Sequence, residues 1–207
     1  MQENRYPCPN AATNGVPKAN DPVWDKAPAA PLVENQTGTT PFLATELRLI
    51  RDDQAKMLYV RFSGEDDEVH STYRLHDAPV YRGDVMELFI ADTNDLAHYK
   101  ELEVTPYDVH FDGVIRFAPD GTRDLNMDYD IAGWKTHTAL GGNRLVSVWA
   151  LPYGAFDVPP ATGVSWRFNA FRIDHHSSRG MSLMAWQPTM QPTFHVPDVF
   201  GFLDFVD

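Results

Sequence analysis

The sequence predicts an all-β protein, an antiparallel β-sandwich of the jelly-roll kind, and three observations carry that prediction. Ten short runs alternate apolar and polar residues, the period-2 signature of a strand with one face covered. Clusters of Gly, Pro, Asn and Asp separate them, as in LGGN, DVPPATG and FAPDGT. No window sustains a 3.6-residue period long enough for a major helix, so the βα alternation of a parallel sheet is absent.

Residues 1–41 are rich in Pro, Asn and Ala and carry one large apolar anchor, Trp24. They read as an extended lead-in packed on a single domain that spans residues 1–207. The strand runs follow in order: TELRLI (45–50), MLYVRF (57–62), DVMELFIAD (84–92), YKELEV (99–104) and VHFDGVIRF (109–117). The second half supplies GWKTHTAL (133–140), RLVSVWAL (144–151), VSWRFNAFRI (164–173), SLMAW (182–186) and FGFLDF (200–205). At most one helical turn is expected, around PYGAF (152–156). Trp24, Trp134, Trp149 and Trp166 read as core or sheet-covering residues.

Three of these strands have a polar parity that needs explaining. In GDVMELFIAD, Met86, Leu88 and Ile90 share one face, which leaves Glu87 on the other. In YKELEV, Tyr99, Glu101 and Glu103 oppose Leu102 and Val104. In VSWRFNAFRI, Arg167 and Asn169 oppose Trp166 and Phe168, while Arg172 keeps the Trp166 parity unless a bulge or twist turns it. A polar-lined groove on an open sheet face requires this pattern, and an ordinary solvated face would also produce it. The expectation is that Met86, Leu88, Ile90, Trp166 and Phe168 lie in the core and Glu87 faces a groove.

Composition narrows the classes of partner. The formal charge of −12 disfavours nucleic acid and anionic membrane, both of which would repel the chain. No run of 18 apolar residues is present to span a bilayer as a helix. The opening MQENRYPCPN lacks the basic and apolar regions of a signal peptide, so an extracellular or periplasmic location is expected only if a leader has been removed. Cys8 is the only cysteine, which excludes an internal disulfide and a thiolate-rich metal site. A monomer is the expected state.

The order of these pieces resembles the family 9 carbohydrate-binding modules. The resemblance runs through DPVWDKAPAAPL, the pair TELRLIRDDQAKMLYVRF, the Asp-x-x-Glu-x-Phe strand of GDVMELFIAD, HYKELEVTPYDVHFDG and WRFNAFRI. It ends in AWQPTMQPTFHVPDVFGFL, where a Trp and a loop precede an aromatic-His-x-Pro-x-x-Phe-Gly closure. The resemblance implies a non-catalytic domain for polysaccharide recognition in carbohydrate catabolism, with glucan or xylan fragments as partners. Its sugar binders hold a terminal sugar between two aromatic rings. Here those rings fall on Tyr81 and Phe194, where Trp is the commoner residue. Arg82, Glu87, Glu103, Asn169, Arg172 and His195, with Gln191 beside them, would bond the hydroxyls. Sugar faces present C–H groups that pack on aromatics, and sugar edges present hydroxyls that need charged or bidentate partners.

Two other functions stay open. Glu87 and Glu103 could serve as the carboxyl pair of a glycoside hydrolase, since neighbouring strands are about 4.8 Å apart and a retaining pair needs about 5–5.5 Å. Alternatively, the fold could persist as an interaction module that has lost sugar binding. No GxSxG, P-loop or HExxH motif is present, no catalytic residue is assigned, and the histidines lack zinc spacing. No cofactor is expected. A structural calcium has two candidate stretches, EDDE (65–68) and DLNMDYD (124–130), the second of which lacks the Gly and Glu of an EF-hand loop.

Overall fold

The ten alternating runs are all strands in the computed structural model, which describes residues 4–207. Four short strands that alternation does not announce join them. In chain order the strands are β1 (Arg5–Pro9), β2 (Ala30–Pro31), β3 (Val33–Glu34), β4 (Thr45–Asp52), β5 (Met57–Glu65), β6 (Val85–Ala91) and β7 (His98–Val104). Then come β8 (His110–Phe117), β9 (Arg123–Asn126), β10 (Lys135–Gly141), β11 (Arg144–Pro152), β12 (Ser165–His176), β13 (Gly180–Ala185) and β14 (Gly201–Val206). The helical content consists of short 3-10 turns, one of them at Tyr153–Ala155 where the sequence allowed a single turn.

Two sheets form the sandwich. The first runs β1-β14-β12-β6-β7-β8-β9, with β13 and β3 attached at the far end of β12, and the second runs β10-β11-β5-β4-β2. All pairings are antiparallel except β1 with β14, which is parallel. The lead-in therefore contributes a strand as well as a covering. Tyr6 and Cys8 of β1 enter the inner core, and Trp24 packs outside the second sheet on Ile50, Tyr59 and Val148.

The inner core follows the alternation. Met86, Leu88, Ile90, Leu102, Val104, Trp166 and Phe168 meet Leu47, Leu49, Val60, Phe62 and Trp149 across the sandwich. Fully burying each such side chain is worth about 1.5–3 kcal/mol, so one slipped residue of register would be heavily penalised. The opposite face of the first sheet is not open as the sequence implied. Val85, Phe89, Tyr99, Phe171 and Ile173 project from it into a second apolar cluster, roofed by Val80, Phe194 and Phe200. This cluster places the carboxylates of β6 and β7 beneath loops rather than in bulk solvent.

Arg172 departs from expectation. No bulge turns it outward, and β12 stays in register with β6 through Arg172↔Met86. Its guanidinium lies between the sheets at one end of the sandwich, 2.9 Å from Thr45 Oγ1, 2.6 Å from the Glu65 carbonyl, 3.1 Å from Asp66 and 2.5 Å from Asp174. Gly64 makes room for it, because a Cβ there would sit 2.6 Å from the guanidinium.

Candidate functional site

Strand register gathers three carboxylates on the roofed face. Glu87 pairs directly with Glu103 across β6 and β7, and Glu101 lies two residues before Glu103 on the same face. One oxygen from each of the three fits within a 4.8 Å grouping. Glu87 and Glu103 are 2% exposed and Glu101 is 7% exposed. They line a pocket of about 540 Å3 together with Phe111, Ile115 and Ile173 of the same sheet and with four further segments. The 77–81 loop brings Asp77, Pro79 and Tyr81, and β9 with its following turn brings Arg123, Leu125 and Met127. Strand β13 brings Met181 and Leu183, and the loop before β14 brings Pro192, Thr193, Phe194 and His195.

Burial dominates the electrostatics of this floor. It pushes the Glu87 and Glu103 carboxyls well above the usual carboxylate range, and neighbouring carboxylates push in the same direction. Burial also raises Glu101, to about 7, against the lowering effects of a hydrogen bond from Glu103 and of Arg123. Glu87 Oε1 and Glu103 Oε2 are buried with no hydrogen-bond partner. His195 stacks on Phe89 at 5.1 Å, and burial lowers its pKa to about 3. Its Nδ1 is hydrogen-bonded to the Tyr99 hydroxyl at 2.8 Å, and its Nε2 lies 3.9 Å from Glu101.

Of the site residues read from the sequence, Tyr81, Glu87, Glu103, Phe194 and His195 come together around this pocket. The two rings differ in what they offer. Tyr81 is 49% exposed, whereas Phe194 is 6% exposed with one ring face stacked on Phe171 at 4.2 Å.

Three residues fall elsewhere. Arg82 is exposed behind Tyr81, its guanidinium 5.8 Å from that ring. Arg172 is committed to the sandwich end. Asn169 is fully buried and spends its amide on the chain: Nδ2 donates to the Gln187 carbonyl at 2.8 Å, and Oδ1 accepts from the Gln187 and Ala170 N–H groups at 2.9 Å. It positions the start of the segment that carries Phe194 and His195. Asn35 braces the same segment through Thr189 and the Gln191 carbonyl, each at 2.8 Å. Gln191 itself does not line the pocket.

Sequence reasoning passed over Glu101, Arg123 and Asn35. Glu101 shares the parity of Glu103 and could have been found from it. Arg123 and Asn35 lie in segments without a periodic signal.

The candidate calcium stretches are partly occupied by other bonds. In EDDE, Asp66 meets Arg172, Asp67 meets Arg179 at 2.5 Å, and Glu68 meets His70 at 2.6 Å. Asp124, Asn126 and Asp128 of DLNMDYD are exposed, and no residue of that stretch joins a three-ligand group among the described residues.

Comparison with known proteins follows this geometry. A candidate carbohydrate-binding protein from Bacteroides uniformis superposes with a TM-score of 0.80 at 16% identity, over 99% of this chain and 100% of that one. A family 9 carbohydrate-binding module from Caldicellulosiruptor kristjanssonii, solved with cellotriose and with glucose, superposes with TM-scores of 0.66 at 16% and 17% identity. Those alignments cover 98% of this chain and 94% and 95% of the others. At such identities the likeness is one of fold. No curated protein matches the chain in sequence. Residues 17–207 match the family model described as carbohydrate family 9 binding domain-like, and the chain belongs to that family.

Proposed function

We propose that this domain binds carbohydrate without transforming it, seating a sugar ring over Glu87, Glu101 and Glu103 with Tyr81 against one face. The observation that carries this reading is the pocket itself: a floor of three clustered glutamates, two of whose oxygens no group of the chain bonds, inside apolar walls, in a chain of this family. A volume of about 540 Å3 suits one or two sugar rings. Tyr81 supplies the main stacking surface and Phe194 a ring edge, so the aromatic clamp is lopsided. Neutral His195 adds a polar ring nitrogen, Nε2, beside Glu101.

The same floor argues against a glycosidase. A retaining pair needs one ionised nucleophile and one protonated acid, held apart by different environments. Here burial raises both Glu87 and Glu103, and nothing separates their roles.

Affinity is modest. A disaccharide has about 23 non-hydrogen atoms, and at about 0.3 kcal/mol per atom the ceiling is near a dissociation constant of ten micromolar. Glucose and cello-oligosaccharides are the first ligands to try, since a relative was solved with glucose and with cellotriose. A glycan array followed by calorimetry tests the reading. Saccharide binding that Glu87→Gln weakens supports it, and a blank array with turnover of a chromogenic glycoside transfers the pocket to an enzyme. A blank on both leaves an interaction module.

A further inference from the structure

The floor of the pocket offers a neutral sugar no amide or guanidinium donor. A hydroxyl both donates and accepts, so sites for neutral sugars mix carboxylates with amide or guanidinium donors. Here Asn169 and Arg172, the donors that the family resemblance offered, are spent on the chain, as is Arg167, which donates to the Phe200 carbonyl. Three carboxyl groups remain, and two of their buried oxygens, Glu87 Oε1 and Glu103 Oε2, lack any partner. The only cation among the pocket-lining residues is Arg123, on an exposed strand at the rim, and His195 is held neutral. The other charged group facing the pocket is Asp77, which adds to the negative side.

The complement of three clustered carboxylates is a group with three donors, one positive charge and no acceptor. A primary ammonium has that inventory. A bare divalent ion matches the charge but not the container, because the pocket is far larger than an ion and its walls carry Phe111, Ile115 and Ile173 close to the floor. Such walls suit the C–H faces of a ring.

We propose that the pocket selects a sugar bearing a free, protonated amine, a 2-amino-2-deoxy-hexose unit of the kind found in deacetylated chitin, over the neutral or N-acetylated equivalent. This rests on the carbohydrate-binding reading and narrows it to a substrate class. The ammonium sits among Glu87, Glu101 and Glu103, and the ring packs against Tyr81 and the apolar wall. Burial makes these carboxyls hold protons, so seating the cation expels them. Binding is then accompanied by proton release and weakens as the pH falls from 7 to 5.

Calorimetry of the whole chain at pH 7 decides the matter, with three disaccharides compared: the β-1,4 glucosamine dimer, its N,N′-diacetyl form and cellobiose. The expected result is at least tenfold tighter binding of the free amine, with a heat that varies with the ionisation enthalpy of the buffer. The variants Glu101→Gln and Glu103→Gln should each erase most of that preference. The wild-type comparison alone keeps the test decisive if a variant fails to fold. Equal or tighter binding of cellobiose overturns the amino-sugar inference and leaves the carbohydrate-binding reading standing. Failure of all three saccharides, confirmed by a blank glycan array, removes both. Tight binding of calcium chloride that either Gln variant abolishes makes the floor a metal site and also overturns the inference.

Discussion

Two clusters of buried acids, one between the sheets at the sandwich end and one on the roofed face of the first sheet, are treated in opposite ways. At the sandwich end, Asp66 and Asp174 grip Arg172, and Asp84 accepts the His70 and His175 backbone N–H groups at 2.5 and 2.7 Å. Under the loops, Glu87, Glu101 and Glu103 have one another, the charge of Arg123, and two orphaned oxygens. The first cluster is closed by hydrogen bonds and joins the two sheets. The second is left unfinished in a cavity. Buried polar atoms are normally satisfied, and an unsatisfied set in residues that line a cavity marks a candidate binding site. Even the closed cluster bears a cost: burial outweighs Arg172 and raises Asp66 to about 6.

Substitutions can break this contrast at either end. Arg172→Met should have the largest effect, because it strips the partner from two buried carboxylates. Losing one member of a buried pair costs about 3–5 kcal/mol. Urea denaturation at pH 7 will measure it, and a loss below about 1 kcal/mol would make the cluster no more structural than a surface pair.

Asn169→Ala comes next, at about 2–3 kcal/mol, since it orphans the Gln187 N–H and carbonyl. This variant should also weaken saccharide binding, because Phe194 and His195 ride on the segment that Asn169 anchors. If affinity is unchanged when the folded population is accounted for, Asn169 has no positioning role.

A substitution in the unfinished cluster should move stability the other way. A carboxyl whose pKa is raised on folding holds its proton in the native state and loses it sooner when unfolded. Its stability contribution is therefore complete below about pH 4.5 and is lost as pH rises through the folded pKa. Glu101 spans the window from about 4.5 to about 7, and Glu87 and Glu103 extend it upward. Each pH unit over which the native state holds one extra proton costs about 1.4 kcal/mol. The ligand-free protein should thus lose stability between pH 5 and pH 8. Glu103→Gln, which mimics the protonated acid, should flatten that slope and stabilise the chain most at pH 8. Paired denaturation curves at the two pH values check both statements, and a variant slope equal to that of the wild type would contradict the proton-holding floor.

Tyr81→Ala should leave stability within about 0.5 kcal/mol, because the ring is half-exposed. It should weaken saccharide binding about tenfold through lost ring packing. Calorimetry reads the affinity, and an unchanged value would put the stacking surface elsewhere.

How much of this was legible follows from what each segment repeats. Strands β6 and β7 announce themselves, since Met86-Leu88-Ile90 and Leu102-Val104 alternate against Glu87, Glu101 and Glu103. Parity alone placed those carboxylates on one face. It could not say that the face is roofed, because the covering loops around residues 77–81 and 192–195 have no period to read. Strand β1 is hidden behind two prolines and a parallel pairing with β14, a partner nearly two hundred residues away. Strand β9, RDLN, is exposed along its length and lacks the alternation that burial imposes. Arg172 was misplaced for a related reason. An arginine on the core parity is read as a defect in the register until one knows that the sandwich ends there, with Thr45 and Asp66 opposite.

The most direct test is a carboxyl-carbon NMR titration of the wild-type protein with assigned Glu and Asp signals, recorded with and without a saturating saccharide. The account predicts that Glu87, Glu101 and Glu103 titrate above the ordinary carboxylate range, with Glu101 near 7. Saccharide should shift these three signals and leave Asp66 and Asp174 in place. Ordinary titration of the three glutamates, unmoved by a saccharide that does bind, would contradict it.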